Sequence, residues 1–257
     1  MSQAVAHVFG DLHLDPAGGA EVEAFCAWLR TVESPRLVML GDLFEAWFGP
    51  RTASLPGARL VLASLLAATA RGIAVEVIPG NRDFLLGAGF EARTGATLHA
   101  GGRTLATASR SALILHGDEL CTRDRGYLRL RRVLRSPLVT RLAALLPRWA
   151  GAAVASRLRR ASVQAVASKP AEEKAMQADA AVAAAGRAGA GLLIVGHAHE
   201  FSLRTPAPGL EWVVLDGWGG PRDVLQLSGD GTWSAVAHGD LSRSAGERAP
   251  TVPGPRP

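Results

Sequence analysis

Two cysteines in 257 residues, Cys26 and Cys121, form no spaced framework. That excludes a disulfide-stapled scaffold, and a reducing, cytoplasmic setting is the expectation. Nowhere do apolar residues run uninterrupted for the roughly 18 positions a membrane span needs. The first residues, Met1-Ser2-Gln3-Ala4-Val5-Ala6-His7, have neither a basic n-region nor an apolar core. They are expected to lead into a strand rather than to form a signal peptide. No internal repeat is present.

What the chain does have is apolar residues, 48% of the total, with a positive mean hydropathy. That composition argues for a real core. The length suits one large domain, or one domain with an insertion. The net charge of +5 is unevenly placed: residues 121–170 carry twelve Arg or Lys against one acid, Asp124, so the rest of the chain is acidic. A basic block on an acidic protein implies an anionic partner: a phosphate, a nucleic acid or a membrane surface.

Short apolar runs and helical patterns alternate along the first half. Strands are expected over 4–9, 36–40, 73–78 and 112–115, with helices over 20–31 and 56–70. Later strands are expected over 192–195, 212–215 and 224–227, with Asp230-Gly231 as a hairpin turn. This alternation reads as α/β structure with parallel pairing. Residues 123–186 break the rhythm. They read as helices over 127–134, 138–146, 150–168 and 171–185, punctuated by Pro137, Pro147 and Pro170. We expect a core of 1–122 and 187–241, a helical cap insertion over 123–186, and a disordered tail over 242–257.

Five motifs fall just after the expected buried strands: Asp11-Leu12-His13, Gly41-Asp42, Gly80-Asn81-Arg82-Asp83, His116-Gly117-Asp118 and Gly196-His197-Ala198-His199. Open α/β sheets carry their sites at the carboxyl ends of strands. Asp, Asn and His together form a mixed hard and borderline donor set that suits Mn²⁺, Fe or Zn²⁺. Two such ions about 3.5–4 Å apart assist in-line displacement at phosphorus. A shared carboxylate is needed to bring them that close, and Asp42, central in the order, is the natural bridge. Asp83 and Asp118 read as groups that orient ligands. His7, His99 and His238 lie outside any motif and read as structural or surface residues. Cys121 reads as packing. On spacing alone Asp124 and Tyr127 are helix-start residues.

In order and spacing the five motifs resemble the calcineurin-like metallophosphoesterases, across roughly residues 5–230. The resemblance implies a four-layered αββα metallophosphoesterase sandwich. It also implies two metals, one on Asp11, His13, Asp42 and His199 and the other on Asp42, Asn81, His116 and His197. A narrower likeness lies in Gly41-Asp42-Leu43-Phe44-Glu45-Ala46-Trp47, Gly80-Asn81-Arg82-Asp83-Phe84-Leu85-Leu86-Gly87 and His116-Gly117-Asp118-Glu119-Leu120-Cys121-Thr122. These stretches resemble the UDP-2,3-diacylglucosamine pyrophosphatase family of lipid A synthesis. That family uses Mn²⁺ and a helical cap that holds acyl chains.

Carried over, the catalytic residues would be Asn81, Arg82 and His116. The substrate contacts would be Asn81, Arg82, Asp124, Tyr127, Ser162, Lys169 and His197. Two places depart from the family pattern: Val166, where the cap usually offers Asn, and Asp216-Gly217-Trp218-Gly219-Gly220. Arg82 stands where many relatives have His. A guanidinium cannot give up its proton usefully but stabilises charge through a planar fork. Arg therefore suits cleavage of a phosphoric anhydride, whose phosphate leaving group needs little acid help.

The expected function is a metal-dependent hydrolase, with two Mn²⁺ (Fe or Zn as alternatives), acting on a nucleotide-linked lipid. The expected location is the cytoplasmic face of an inner membrane, held peripherally by its anionic surface. No nucleic-acid partner and no obligate protein partner is expected. The alternatives are a metallophosphoesterase for another nucleotide diphosphate or a phosphoprotein, and a non-catalytic scaffold. A scaffold should have lost ligands, whereas all seven positions are filled.

Overall fold

The alternating apolar runs of the first hundred residues fold as successive strand–helix units. β1 (Ala4–Phe9), β2 (Arg36–Met39), β3 (Ala74–Val77) and β4 (Thr97–Leu98) pair in parallel in that order in the computed structural model. Between them run α1 (Ala20–Thr31), α2 (Pro56–Ala70) and α3 (Ala88–Thr94). The structure describes residues 4–49, 51–134, 136, 170, 172, 175–241 and 252–253.

A second sheet is built from β5 (Arg103–Ala106), β6 (Ser111–Ile114), β7 (Leu192–Val195), β8 (Ser202–Ala207) and β9 (Leu210–Val214), in the order β5-β6-β7-β9-β8. β6, β7 and β9 are parallel, whereas β5 and β8 run antiparallel at the edges. The chain then returns to the first sheet. β10 (Val224–Ser228) pairs antiparallel with β1, and β11 (Trp233–Val236) and β12 (Val252–Pro253) follow outward. Gly231 closes the β10–β11 hairpin at φ +90°, and the Asp230 carboxylate accepts the Thr232 backbone N–H. That is the turn expected from the sequence.

Three apolar layers show how the sheets stack. Phe9, Phe25, Trp28, Leu37, Val61 and Leu65 fill the space between the seven-stranded sheet and its helices. Val8, Val38, Leu40, Ile78, Ile114, Ile194 and Leu225 fill the space between the two sheets. Outside the five-stranded sheet, Ala181 and Ala185 of a helix pack on Leu193, Val195 and Trp212. The order helix, sheet, sheet, helix is the four-layered αββα sandwich. On β1 the period of two puts Ala6 and Val8 between the sheets and Phe9 against the helices.

The segment read as a cap begins with α4 (Arg125–Leu134), two residues earlier than expected. The last described helix, α5 (Ala178–Ala188), replaces the expected helix over 171–185. It starts where the Gln177 backbone N–H turns aside to the Leu120 carbonyl, and it stops at Gly189, which takes the left-handed conformation (φ 59°). Residue 186, the expected end of the insertion, therefore lies inside a helix that packs on the sheet. The expected helices over 138–146 and 150–168 lie outside the described residues, as do Ser162, Val166 and Lys169. Most of the expected tail does too.

Candidate metal centre

Each motif leaves its strand through a turn that a neighbouring loop holds by backbone bonds. Asp11 N–H donates to the Gly41 carbonyl (3.1 Å) and His13 N–H to the Asp42 carbonyl (2.9 Å), which zips the β1 and β2 loops together. Asp83 is fully buried and accepts from Gly80 N–H (2.7 Å) and Leu43 N–H (2.8 Å), tying the β3 loop to the β2 loop. Asp11 Oδ2 accepts from His197 N–H at 2.7 Å, which joins the two sheets. Among the described residues, the non-glycine residues with positive φ are Asp11, His13, Asp42, His197 and His199, at 50–68°. Such backbone costs about 1–3 kcal/mol per residue and collects at functional sites. All five were read from the sequence as metal ligands.

The turns bring side chains from distant parts of the chain to one place. Donor atoms of Asp11, His13 and His199 lie within 4.8 Å of one another, as do those of Asp11, Asp42 and His116. Asp11 belongs to both groups, whereas the sequence singled out Asp42 as the shared carboxylate. Asn81 Oδ1 lies 2.9 Å from His116 Nε2 and 3.1 Å from His197 Nδ1. All seven expected ligands thus converge on one locus. Gly80 and Gly196 make room for this: a Cβ there would stand 2.2 Å from Asp42 Oδ1 and 2.4 Å from Asp11 Oδ2, respectively.

The donor set fits divalent cations. His116 Nδ1 donates to the Leu40 carbonyl at 2.6 Å, which turns its Nε2 toward Asn81 Oδ1 (2.9 Å) and Asp42 Oδ1 (3.8 Å). His13 Nε2 and His199 Nε2 face each other at 3.1 Å. Asp11 Oδ1 is buried, with His199 Nε2 3.5 Å away. Lone pairs converging on one point are the arrangement a cation relieves.

The titration of these groups carries the same imprint. Burial, and then the Arg82 charge, lower His13 to about 4. Burial, and then the charge on His116, lower His197 to about 4. Both rings are therefore neutral and able to ligate. Burial works to lower His116 too, but the carboxylates of Asp42, Asp118 and Asp11 outweigh it and hold the ring at about 9. Burial pushes Asp42 up to about 7, with Asp83 and Asp11 adding to the rise against His116. Asp11 stays below the ordinary carboxylate range: burial opposes this, but its bond to His199 and the nearby His116 prevail.

Arg82 sits beside the cluster. Its backbone N–H donates to Asp42 Oδ1 (2.9 Å), its Nε lies 3.5 Å from Asp42 Oδ2, and its Nη1 donates to Glu45 Oε2 (2.6 Å). Glu45 also approaches His13 Nδ1 at 3.5 Å. The sequence reading assigned Glu45 no role, although an acid three residues after Asp42 was visible. Asp124 caps α4, accepting the Tyr127 N–H at 2.8 Å. The Tyr127 hydroxyl donates to Asp118. His7, His99 and His238 make contacts outside the cluster, with Gln226, Glu76 and Asp223.

Curated proteins named UDP-2,3-diacylglucosamine hydrolase match most of the chain. The one from Sodalis glossinidius is 34% identical over 223 residues, covering 86% of this chain and 93% of that protein. The one from Ralstonia nicotianae is 39% identical over 219 residues, covering 80% and 81%. The chain belongs to the UDP-2,3-diacylglucosamine hydrolase family. Membership makes it a hydrolase. A family member from Cellvibrio japonicus is 37% identical over 215 residues, covering 81% of this chain and 88% of that protein. Among solved structures, a dimetal phosphatase from Danio rerio aligns over 91% of this chain and 94% of its own, at 12% identity and a TM-score of 0.45. No family model matches the chain.

Proposed function

We propose that this chain hydrolyses the pyrophosphate bond of UDP-2,3-diacylglucosamine, releasing UMP and 2,3-diacylglucosamine 1-phosphate, as a step of lipid A synthesis. Two divalent ions, Mn²⁺ before Fe or Zn, would be held by Asp11, His13, Asp42 and His199 and by Asp42, Asn81, His116 and His197. What carries the reading is likeness to hydrolases of that name along 80–86% of the chain, joined to a partly buried donor cluster with Arg82 beside it.

When bound, such ions lower the pKa of water and neutralise charge on phosphoryl oxygens. The chain's residues do the remainder. Asn81 offers its amide oxygen between His116 and His197. The Leu40 carbonyl fixes the His116 ring, so Nε2 stays directed inward. Arg82, about one-third exposed, can offer its guanidinium to the phosphates while Glu45 holds Nη1. A guanidinium there stabilises the charge that develops as the anhydride breaks.

Beyond the cluster, α4 supports contact with a lipid surface. Arg125, Arg129 and Arg132 are exposed on it, together with Leu130 (42%) and Val133 (57%). Basic residues near an anionic membrane contribute about 1 kcal/mol each. No described helix is long and apolar enough to cross a membrane, so peripheral attachment is the mode proposed.

The test is a product assay with UDP-2,3-diacylglucosamine in ¹⁸O-labelled water, beside ADP-ribose and a chromogenic phosphodiester. The expected products are labelled UMP and an unlabelled lipid monophosphate. Turnover of ADP-ribose without turnover of the lipid substrate would replace this reading with that of a soluble-nucleotide hydrolase.

A further inference from the structure

Asp118 lies two residues past His116, and its side chain is fully buried. A carboxylate out of water is costly unless charge and hydrogen bonds compensate it. Both come from one helix: Arg131 Nε stands 2.7 Å from Asp118 Oδ2, and the Tyr127 hydroxyl donates to the same oxygen. Tyr127 and Arg131 are four residues apart, so they share one face of α4. Asp124 caps that helix one turn earlier.

The same loop also holds the returning chain. The Gln177 N–H donates to the Leu120 carbonyl (2.9 Å), and Met176 Sδ lies 3.0 Å from where a Cβ on Gly117 would be. Gly117 has φ +119°. The loop that carries His116 is therefore the anchor for chain leaving it and for chain coming back.

We propose that Tyr127 and Arg131 are positioning residues that act through Asp118: they lock α4 to the His116 loop, and that lock governs selection of the acylated substrate. This differs from the direct substrate contact that family likeness implies for Tyr127. A phenol has one proton to donate. With that proton committed to Asp118, the Tyr127 oxygen offers a phosphate only lone pairs, which repel it. Replacing either partner frees one end of α4 from the loop while leaving the metal donors in place.

The substrate arm of the test rests on the function proposed above; the exchange arm does not. Tyr127→Phe, Asp118→Ala and the double variant are made in the full chain loaded with Mn²⁺. Should Asp118→Ala fail to fold, Asp118→Asn takes its place and is paired with Arg131→Gln.

Hydrogen exchange over residues 125–134 should speed up in each variant, with metal content unchanged in Tyr127→Phe. KM for UDP-2,3-diacylglucosamine should rise about tenfold, the effect of losing one hydrogen bond to a charged group, with a smaller change in kcat. A deacylated analogue should show little of that rise. The double variant should be no worse than the more damaged single one.

Additive losses would mean that Tyr127 touches substrate on its own, and would overturn the proposal. Unchanged exchange over α4 in Tyr127→Phe would overturn it equally. If wild-type protein leaves the lipid substrate intact, the functional reading fails and the exchange arm alone decides on the lock.

Discussion

Arg82 reaches Glu45 through a 2.6 Å bond from Nη1 to Oε2, and the same carboxylate oxygen lies 3.5 Å from His13 Nδ1. One acid thus binds the cation beside the cluster and lies close to a ring within it. Removing Arg82 should remove charge stabilisation but no metal donor. We expect Arg82→Ala to lower kcat by about 10²–10³, the scale of losing one electrostatic donor, at constant metal content. Glu45→Ala should lower kcat less, because Arg82 stays but is free to wander. Wild-type kinetics in Arg82→Ala would make the residue structural.

Metal analysis separates the two carboxylates at the centre. Asp11 belongs to both donor groups, and Asp42 to one. Protein reconstituted with Mn²⁺ should approach two ions per chain. In the ligand sets proposed above Asp42 serves both ions and Asp11 one, so Asp42→Ala should bring that below one while Asp11→Ala should spare one ion; the reverse order would make Asp11 the shared carboxylate. Stoichiometry well below one in saturated wild-type protein would rule out a dinuclear site.

The glycines give a steric test. A methyl group at Gly80 or Gly196 would collide with Asp42 Oδ1 or Asp11 Oδ2. Overpacking of this kind costs about 1–3 kcal/mol. Gly80→Ala and Gly196→Ala should lose metal affinity as well as thermal stability. Gly89 in α3 has open space around its Cβ position, so Gly89→Ala should stabilise the protein by about 0.5–1 kcal/mol. Equal Tm values for all three variants would contradict the steric account.

His7 carries a pH dependence of its own. Burial lowers it from 6.5 to about 4, and among the described residues its Nδ1 has no hydrogen-bond partner. The folded state keeps this ring neutral, while the unfolded chain binds a proton below pH 6.5. Stability should therefore be complete above that pH and fall as pH drops toward 4, by roughly 3 kcal/mol at most. Urea unfolding of metal-stripped wild type and His7→Gln at pH 7.5 and 4.5 checks this. The variant should lose less stability between the two; parallel losses would remove His7 from the account.

The motif order and its placement at strand ends were legible because both are local. An apolar run followed by Gly and a polar residue makes a strand and its exit turn, whatever the strand's neighbours are. The motif residues could be picked out on that ground and the alternation gave α/β structure with parallel pairing, whereas the αββα layering and the ligand set came from the family resemblance. The start of α5 was misread because Gln177 is held by the Leu120 carbonyl, a contact that spacing cannot reveal. Edge strands β5 and β8 were missed because half-exposed strands lack a continuous apolar run.

By itself, the sequence determined which side chains could ligate and on which turns they would stand. Only tertiary structure decided which of them meet. His13 and His199 face each other across 186 residues because β1 lies at the centre of one sheet and β7 at the centre of the other. The left-handed turns then aim both rings inward. Asp11 gained its double membership, Glu45 its hold on Arg82 and Asp118 its hold on α4 in the same way. Side-chain convergence depends on strand order and loop conformation, and a linear pattern specifies neither.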